Sequence, residues 1–135
     1  MQNKDLMQVV DRVPKIIDPQ AHAVLDYVTA GSMLAMGVAL LKRNRRAANL
    51  AFVQGGMILG VSLMTDYPGG VWKRLSFRTH GMLDVLTASM SAMMPALLGF
   101  GREPEASLFH GQAAMEFAVV AATDFGDGGL VPGHA

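Results

Sequence analysis

The chain has 135 residues, no cysteine, and eleven basic against eleven acidic side chains. Zero formal net charge excludes the basic stripe of a nucleic-acid binder, and the absence of cysteine excludes disulfides, thiolate metal ligation and thiol catalysis. Only 16% of residues are charged and 51% are hydrophobic, where an ordinary soluble domain spends about a quarter of its residues on charge.

In chain order, residues 1–17 lack the apolar run of a cleavable signal peptide. Leu6, Val9, Val10 and Val13 fall on one helical face, which predicts a short amphipathic helix lying at a membrane interface. Asp18-Pro19 then reads as an N-cap with proline in the first turn. Uncharged stretches follow from Tyr27 to Leu41, Ala47 to Thr65 and Val85 to Gly101, and Ala106 to Thr123 contains only Glu116. A hydrocarbon core takes roughly 20 helical residues to cross. A water-soluble bundle needs a polar face on each helix, yet AFVQGGMILGVSLMT offers only Gln54, Ser62 and Thr65. The pattern therefore predicts four transmembrane helices at about 20–41, 47–65, 79–100 and 106–123.

The two halves align without a gap at an offset of 58 residues, His22–Gly70 on His80–Gly128, with about 30% identity. HAVLDYVTA matches HGMLDVLTA, and MTDYPGG matches ATDFGDG. The expected fold is all-α: a four-helix transmembrane bundle of two tandem helical hairpins, residues 18–70 and 71–135, with a pseudo-two-fold axis along the membrane normal. Asp66-Tyr67-Pro68-Gly69-Gly70 is the stop between them. Pro95 is expected to kink the third helix or free a carbonyl. Gly56 with Gly60, and their counterparts Ala114 with Ala118, form small-xxx-small pairs suited to close helix approach.

The order H-x-x-L-D-Y at His22, Leu25, Asp26 and Tyr27, then Thr65-Asp66-Tyr67, then Arg78, His80, Leu83 and Asp84, and finally Gly111 with Glu116, resembles the bacterial SPW-repeat membrane proteins over roughly residues 20–124. The Ser-Pro-Trp signature itself is absent, and the third span keeps only Pro95 with Gly99-Phe100. The resemblance implies a duplicated four-span protein of the bacterial inner membrane and brings no catalytic activity with it.

Each half carries His and Asp at i and i+4, His22 with Asp26 and His80 with Asp84, so each pair shares a helical face. The second helices end in Thr65-Asp66 and Thr123-Asp124. With alternating span directions, two symmetric sets of His, Asp, Asp gather at one rim, where ionisable groups invite a functional reading. Capping and inter-unit bonding are the structural reading, and proton or ion handling is a competing one. A wet rim and the absence of an E-x-x-H pair argue against a metal, and the sequence designates no metal ligand. A tetrapyrrole on His22, His80 or His110 is a further alternative, although no cofactor is required. The eleven methionines, Met90, Met93 and Met94 among them, read as adaptable packing in preference to axial ligands. His110 and Glu116 replace Phe52 and Ile58 of the first half. Glu116, about 12 Å deeper than Asp124, should be protonated or bonded within the protein, with Gln112 one turn earlier as neighbour.

The basic loop at 42–46, joined by Arg102, opposes Lys4, Arg12, Lys15, Lys73, Arg74 and Arg78 on the other side, and the six-to-five balance places the termini in the cytoplasm. With no nucleophile elbow or HExxH motif, the functional expectation is a non-enzymatic accessory or scaffold subunit. Its partners would be the bilayer and other membrane subunits or further copies of itself. The alternative is a cofactor-binding or ion-handling protein.

Overall fold

The computed structural model describes residues 12–126, together with 5, 8 and 9, and is all-helical. Of the expected amphipathic leader, Leu6 and Val10 lie outside the described residues. The helices are α1 (Pro19–Leu40), α2 (Arg45–Met64), α3 (Phe77–Leu97) and α4 (Ala106–Ala122). α1 packs chiefly against α2 and α3 against α4, with a smaller contact between α2 and α3.

Local chemistry sets the helix ends. Asp18 accepts from the Ala21 amide at 2.7 Å with Pro19 in the first turn, filling one of the orphan donors of a helix start. Asn44 caps α2 through the Ala47 amide, and Ser76 caps α3 through Thr79. α3 ends in a Schellman motif: Phe100 N–H reaches Pro95 O, Gly99 N–H reaches Ala96 O, and Gly99 takes the left-handed φ of 80°. Pro95 thus sits in the closing turn of the helix, buried.

α1 and α2 are long and apolar enough to cross a membrane. α4 has 17 residues, and α3 carries Arg78, His80 and Asp84 near its start. The interior is divided along its length. Toward the loops joining α1 to α2 and α3 to α4, the core is apolar and dominated by small residues, with Ala47, Ala48, Ala51 and Ala106 around Leu40, Phe100 and Phe109. Toward the other end the buried side chains are polar, including His22, Asp26, His80 and Asp84, with the Gln54–Ser91 pair buried between the two regions.

The close helix approach differs from the expected small pairs. A methyl group on Gly55 would stand 3.1 Å from the Leu34 backbone nitrogen, and one on Gly37 would lie 2.7 Å from the Phe52 ring, whereas Gly56 and Gly60 face open space. Ala114 and Ala118 are likewise exposed. On a helix that is apolar all round, hydropathy does not mark which small residues face inward, and the true contact lies one residue away from the motif.

At the apolar end, the basic loop is neutralised by acids of the α3–α4 connection. Arg43 meets Glu105 at 2.8 Å, Arg46 meets Glu103 at 2.9 Å, and Asn44 donates to both glutamates. Glu105 is held below the usual carboxylate range by its own backbone amide first and by Asn44 second, with Arg43 adding to both.

Candidate functional site

The starts of α1 and α3 and the ends of α2 and α4 meet at the polar end, and the meeting is built from hydrogen bonds that link the two halves. His22 Nδ1 contacts Thr123 Oγ1 at 2.8 Å, and His80 Nδ1 contacts Thr65 Oγ1 at 2.7 Å. Both partners of the second contact are displaced by 58 residues from those of the first. The backbone repeats the relation: Ile17 pairs with Thr123 and Leu75 with Thr65 in parallel bridges. Lys15 adds a bond to the Ala121 carbonyl at the end of α4.

The opposite ring nitrogens converge on two carboxylates. His22 Nε2 lies 3.0 Å from Asp84 Oδ2 and 3.4 Å from Asp26 Oδ1. His80 Nε2 lies 3.0 Å from Asp26 Oδ2 and 3.2 Å from Asp84 Oδ2. One polar atom from each of the four residues lies within 4.8 Å of every other. The i,i+4 spacing on α1 and α3 produces this, because it stacks each His over its Asp on the face turned toward the other half.

The Thr hydroxyls determine where the imidazole protons are. Thr65 Oγ1 stands 2.6 Å from the Val61 carbonyl, and Thr123 Oγ1 stands 2.6 Å from the Val119 carbonyl. A carbonyl only accepts, so each hydroxyl spends its single proton there and must accept from the histidine Nδ1–H. The Nε2 atoms then face the carboxylates either as lone pairs or as the second N–H of an imidazolium. His80 Nε2 is buried and makes no hydrogen bond to the described residues.

The site is not a wet rim. His22 and His80 are 0% and 1% exposed, and Asp26 and Asp84 are each 8% exposed. The reason is an aromatic cover that the sequence reading did not include. Phe77 stands 5.2 Å from the His22 ring and 4.7 Å from Phe125, and Tyr67 lies 5.2 Å from His80. Tyr67 also donates from its hydroxyl to Asp26 Oδ2 at 2.9 Å. Burial first, and the Asp26 carboxylate with it, push the Tyr67 phenol far above its ordinary pKa. The second half carries Phe125 where the first has Tyr67, so Asp84 lacks this donor and the two carboxylates are chemically distinct.

Asp66 and Asp124, expected in the cluster, are exposed instead. Asp66 lies 3.9 Å from Lys73, and Asp124 accepts from the Gly126 amide. Their threonine neighbours enter the site in their place, because the chain turns extended at the helix end and successive side chains then point to opposite sides. The repeated T-D dipeptide was the available signal; the neutral partner, Thr, carries the contact.

Glu116 is 8% exposed, and its Oε2, like Gln112 Nε2, is buried without a hydrogen bond to the described residues. A cavity of about 30 Å³, lined by Asp26, Thr29, Asp84 and Glu116 among apolar neighbours, separates Glu116 from the cluster. His110 is exposed near the start of α4, at the apolar end. The His22 and His80 rings stand edge to face at 5.2 Å with carboxylates beside them, leaving no slot for a planar macrocycle between them. No protein-family model, curated protein or solved structure matches the chain.

Proposed function

We propose that the chain is a four-span integral membrane protein of the SPW-repeat kind, built from two tandem hairpins related by a pseudo-two-fold axis, and that it serves in the bacterial inner membrane as an accessory or scaffold subunit. The observation that carries the membrane reading is the inverted distribution of side chains. Val24, Val28, Val38, Val53, Met82, Leu86, Met93, Leu97 and Phe117 are 42–70% exposed on the four helices, while His22, Asp26, Gln54, His80, Asp84 and Ser91 are buried. In water this arrangement is unfavourable by roughly 25 cal/mol per Å² of exposed apolar surface; in lipid the outer apolar surface carries no such penalty and interior polar groups satisfy one another.

The non-enzymatic reading rests on short connections and on interior space too small for an organic substrate. The outward faces of Gly56, Gly60, Ala114 and Ala118 suit close approach by helices of a neighbouring subunit. A second reading, proton or ion handling, is favoured by the cavity between Glu116 and the Asp26/Asp84 carboxylates, which has room for water.

Two measurements test the proposal. The protein is expected to stay in the membrane pellet after alkaline carbonate washing and to enter solution only with detergent; release by carbonate overturns the membrane reading. In native gels of mildly solubilised membranes it is expected to migrate within a larger assembly, and migration as a lone monomer overturns the subunit reading.

A further inference from the structure

We propose that His22, Asp26, His80 and Asp84 form a closed four-coordinate site for one divalent transition-metal ion of the zinc class, which ties the two halves of the chain together. Three independent features of the site lead to it.

The first is geometry. Bonds of about 2.0–2.1 Å to a tetrahedral ion place neighbouring ligand atoms roughly 3.3 Å apart. The four N···O separations around the cluster are 3.0, 3.0, 3.2 and 3.4 Å, with Asp26 meeting His22 through Oδ1 and His80 through Oδ2; one ligand atom from each residue lies within 4.8 Å of every other, so an ion would draw the widest pair inward. Two imidazole nitrogens and two carboxylate oxygens are a donor set that suits zinc and its first-row neighbours.

The second is the position of the protons. Each Nδ1–H is committed to a threonine hydroxyl whose own proton is engaged by a backbone carbonyl. The neutral tautomer therefore presents its lone pair from Nε2 toward the cluster. Metal-ligating histidines are oriented by just such a bond from the other ring nitrogen. His22 Nε2 meets Asp84 Oδ2 at 3.0 Å in hydrogen-bond geometry, so either a proton or a metal cation lies between the two atoms. His80 Nε2 is buried, makes no hydrogen bond to the described residues, and lies 3.0 Å from an Asp26 oxygen and 3.2 Å from an Asp84 oxygen. Tyr67 completes the outer shell by donating to the ligating Asp26 carboxylate.

The third is charge. Two neutral imidazoles and two carboxylates leave two negative charges in a buried volume, a burden that requires compensation. A divalent ion cancels them. The alternative to a metal places extra protons on the imidazoles or on the carboxylates, and the experiment separates the two cases. All four ligands come from protein, so the site is of the closed, structural type, with no open position for a substrate. The inference does not depend on the membrane or subunit readings.

The test uses the full chain purified in mild detergent, stripped with chelator and titrated with Co²⁺ and then Zn²⁺. One Co²⁺ per chain is expected, with the strong visible absorption of a four-coordinate ion, and Zn²⁺ is expected to abolish that absorption. His22→Gln and His80→Gln are expected to reduce it to background, while His110→Ala retains it. In parallel, Zn²⁺ is expected to raise the thermal midpoint of the stripped wild-type protein and chelator to lower it. The wild-type measurements keep the proposal open to refutation even if a ligand variant does not fold. A helical wild-type protein that binds no Co²⁺, a weak six-coordinate spectrum, or full absorption retained in His80→Gln overturns it. So does an imidazole nitrogen spectrum showing both Nε2 atoms protonated in the presence of Zn²⁺.

Discussion

Replacing Thr65 by Val keeps the shape of the side chain and removes the acceptor that the described residues give to the His80 Nδ1–H. A buried donor left without a partner costs about 1–3 kcal/mol. Thr65→Val is therefore expected to lower the thermal midpoint in detergent, and Thr65→Ser, which keeps the hydroxyl, is expected to recover most of the loss. The same residue shows what the sequence displayed and what it concealed. His and Asp at i and i+4 in both halves announced two stacked pairs, and those four residues do meet. The Thr-Asp ends announced acids, yet the acids face solvent and the hydroxyls face the histidines. A one-residue step at a helix end reverses the side that a side chain faces, and nothing in the composition distinguishes the two. Tyr67, Phe77 and Phe125 were equally silent, because an aromatic cover assembled from the α2–α3 connection, the first residue of α3 and the segment after α4 leaves no periodic trace.

At the level of helices, the prediction concerns the α1–α2 contact. Gly55 faces the Leu34 backbone and Gly56 faces open space. Gly55→Val is expected to destabilise the protein by about 1–3 kcal/mol through overpacking, read as a fall in thermal midpoint, while Gly56→Val leaves that midpoint nearly unchanged. The neighbouring residues would behave alike if the small-xxx-small pair closed this interface. The first helix start was legible from Asp18-Pro19, whereas the caps at Asn44 and Ser76, where a side-chain oxygen likewise supplies a bond the backbone lacks, emerge only from the structure. Helix facing was not, because an all-apolar surface removes the period on which such readings depend. The contacts of Glu105 with Asn44 and Arg43 at the far end add a pH prediction. A carboxylate whose folded pKa lies below its unfolded value stabilises fully above the unfolded value, and the contribution disappears as pH falls through the folded one. Stability is therefore expected to decline as pH falls through and below the ordinary glutamate pKa of about 4.3, and Glu105→Gln is expected to flatten that decline in a series of melting curves.

Across the whole molecule, the duplication and the four apolar stretches were readable from the sequence, and the structure adds how the halves are joined. Each histidine takes its hydroxyl from the far half and has a carboxylate of the far half at 3.0 Å. Neither half holds a complete set of partners by itself. Contacts within each half are mostly apolar helix packing, so the polar specificity of the fold is concentrated in exchange between halves.

That exchange has a consequence for biosynthesis. When the ribosome has made α1 and α2, His22 and Asp26 already exist, but the threonine that completes His22 is residue 123, the cap of the last helix. A nascent chain thus carries an unsettled imidazole from its first helix until its fourth has emerged, although Tyr67 and His80 reach Asp26 earlier. A chain halted anywhere before Thr123 leaves that deficit standing at the end of the bundle where synthesis began.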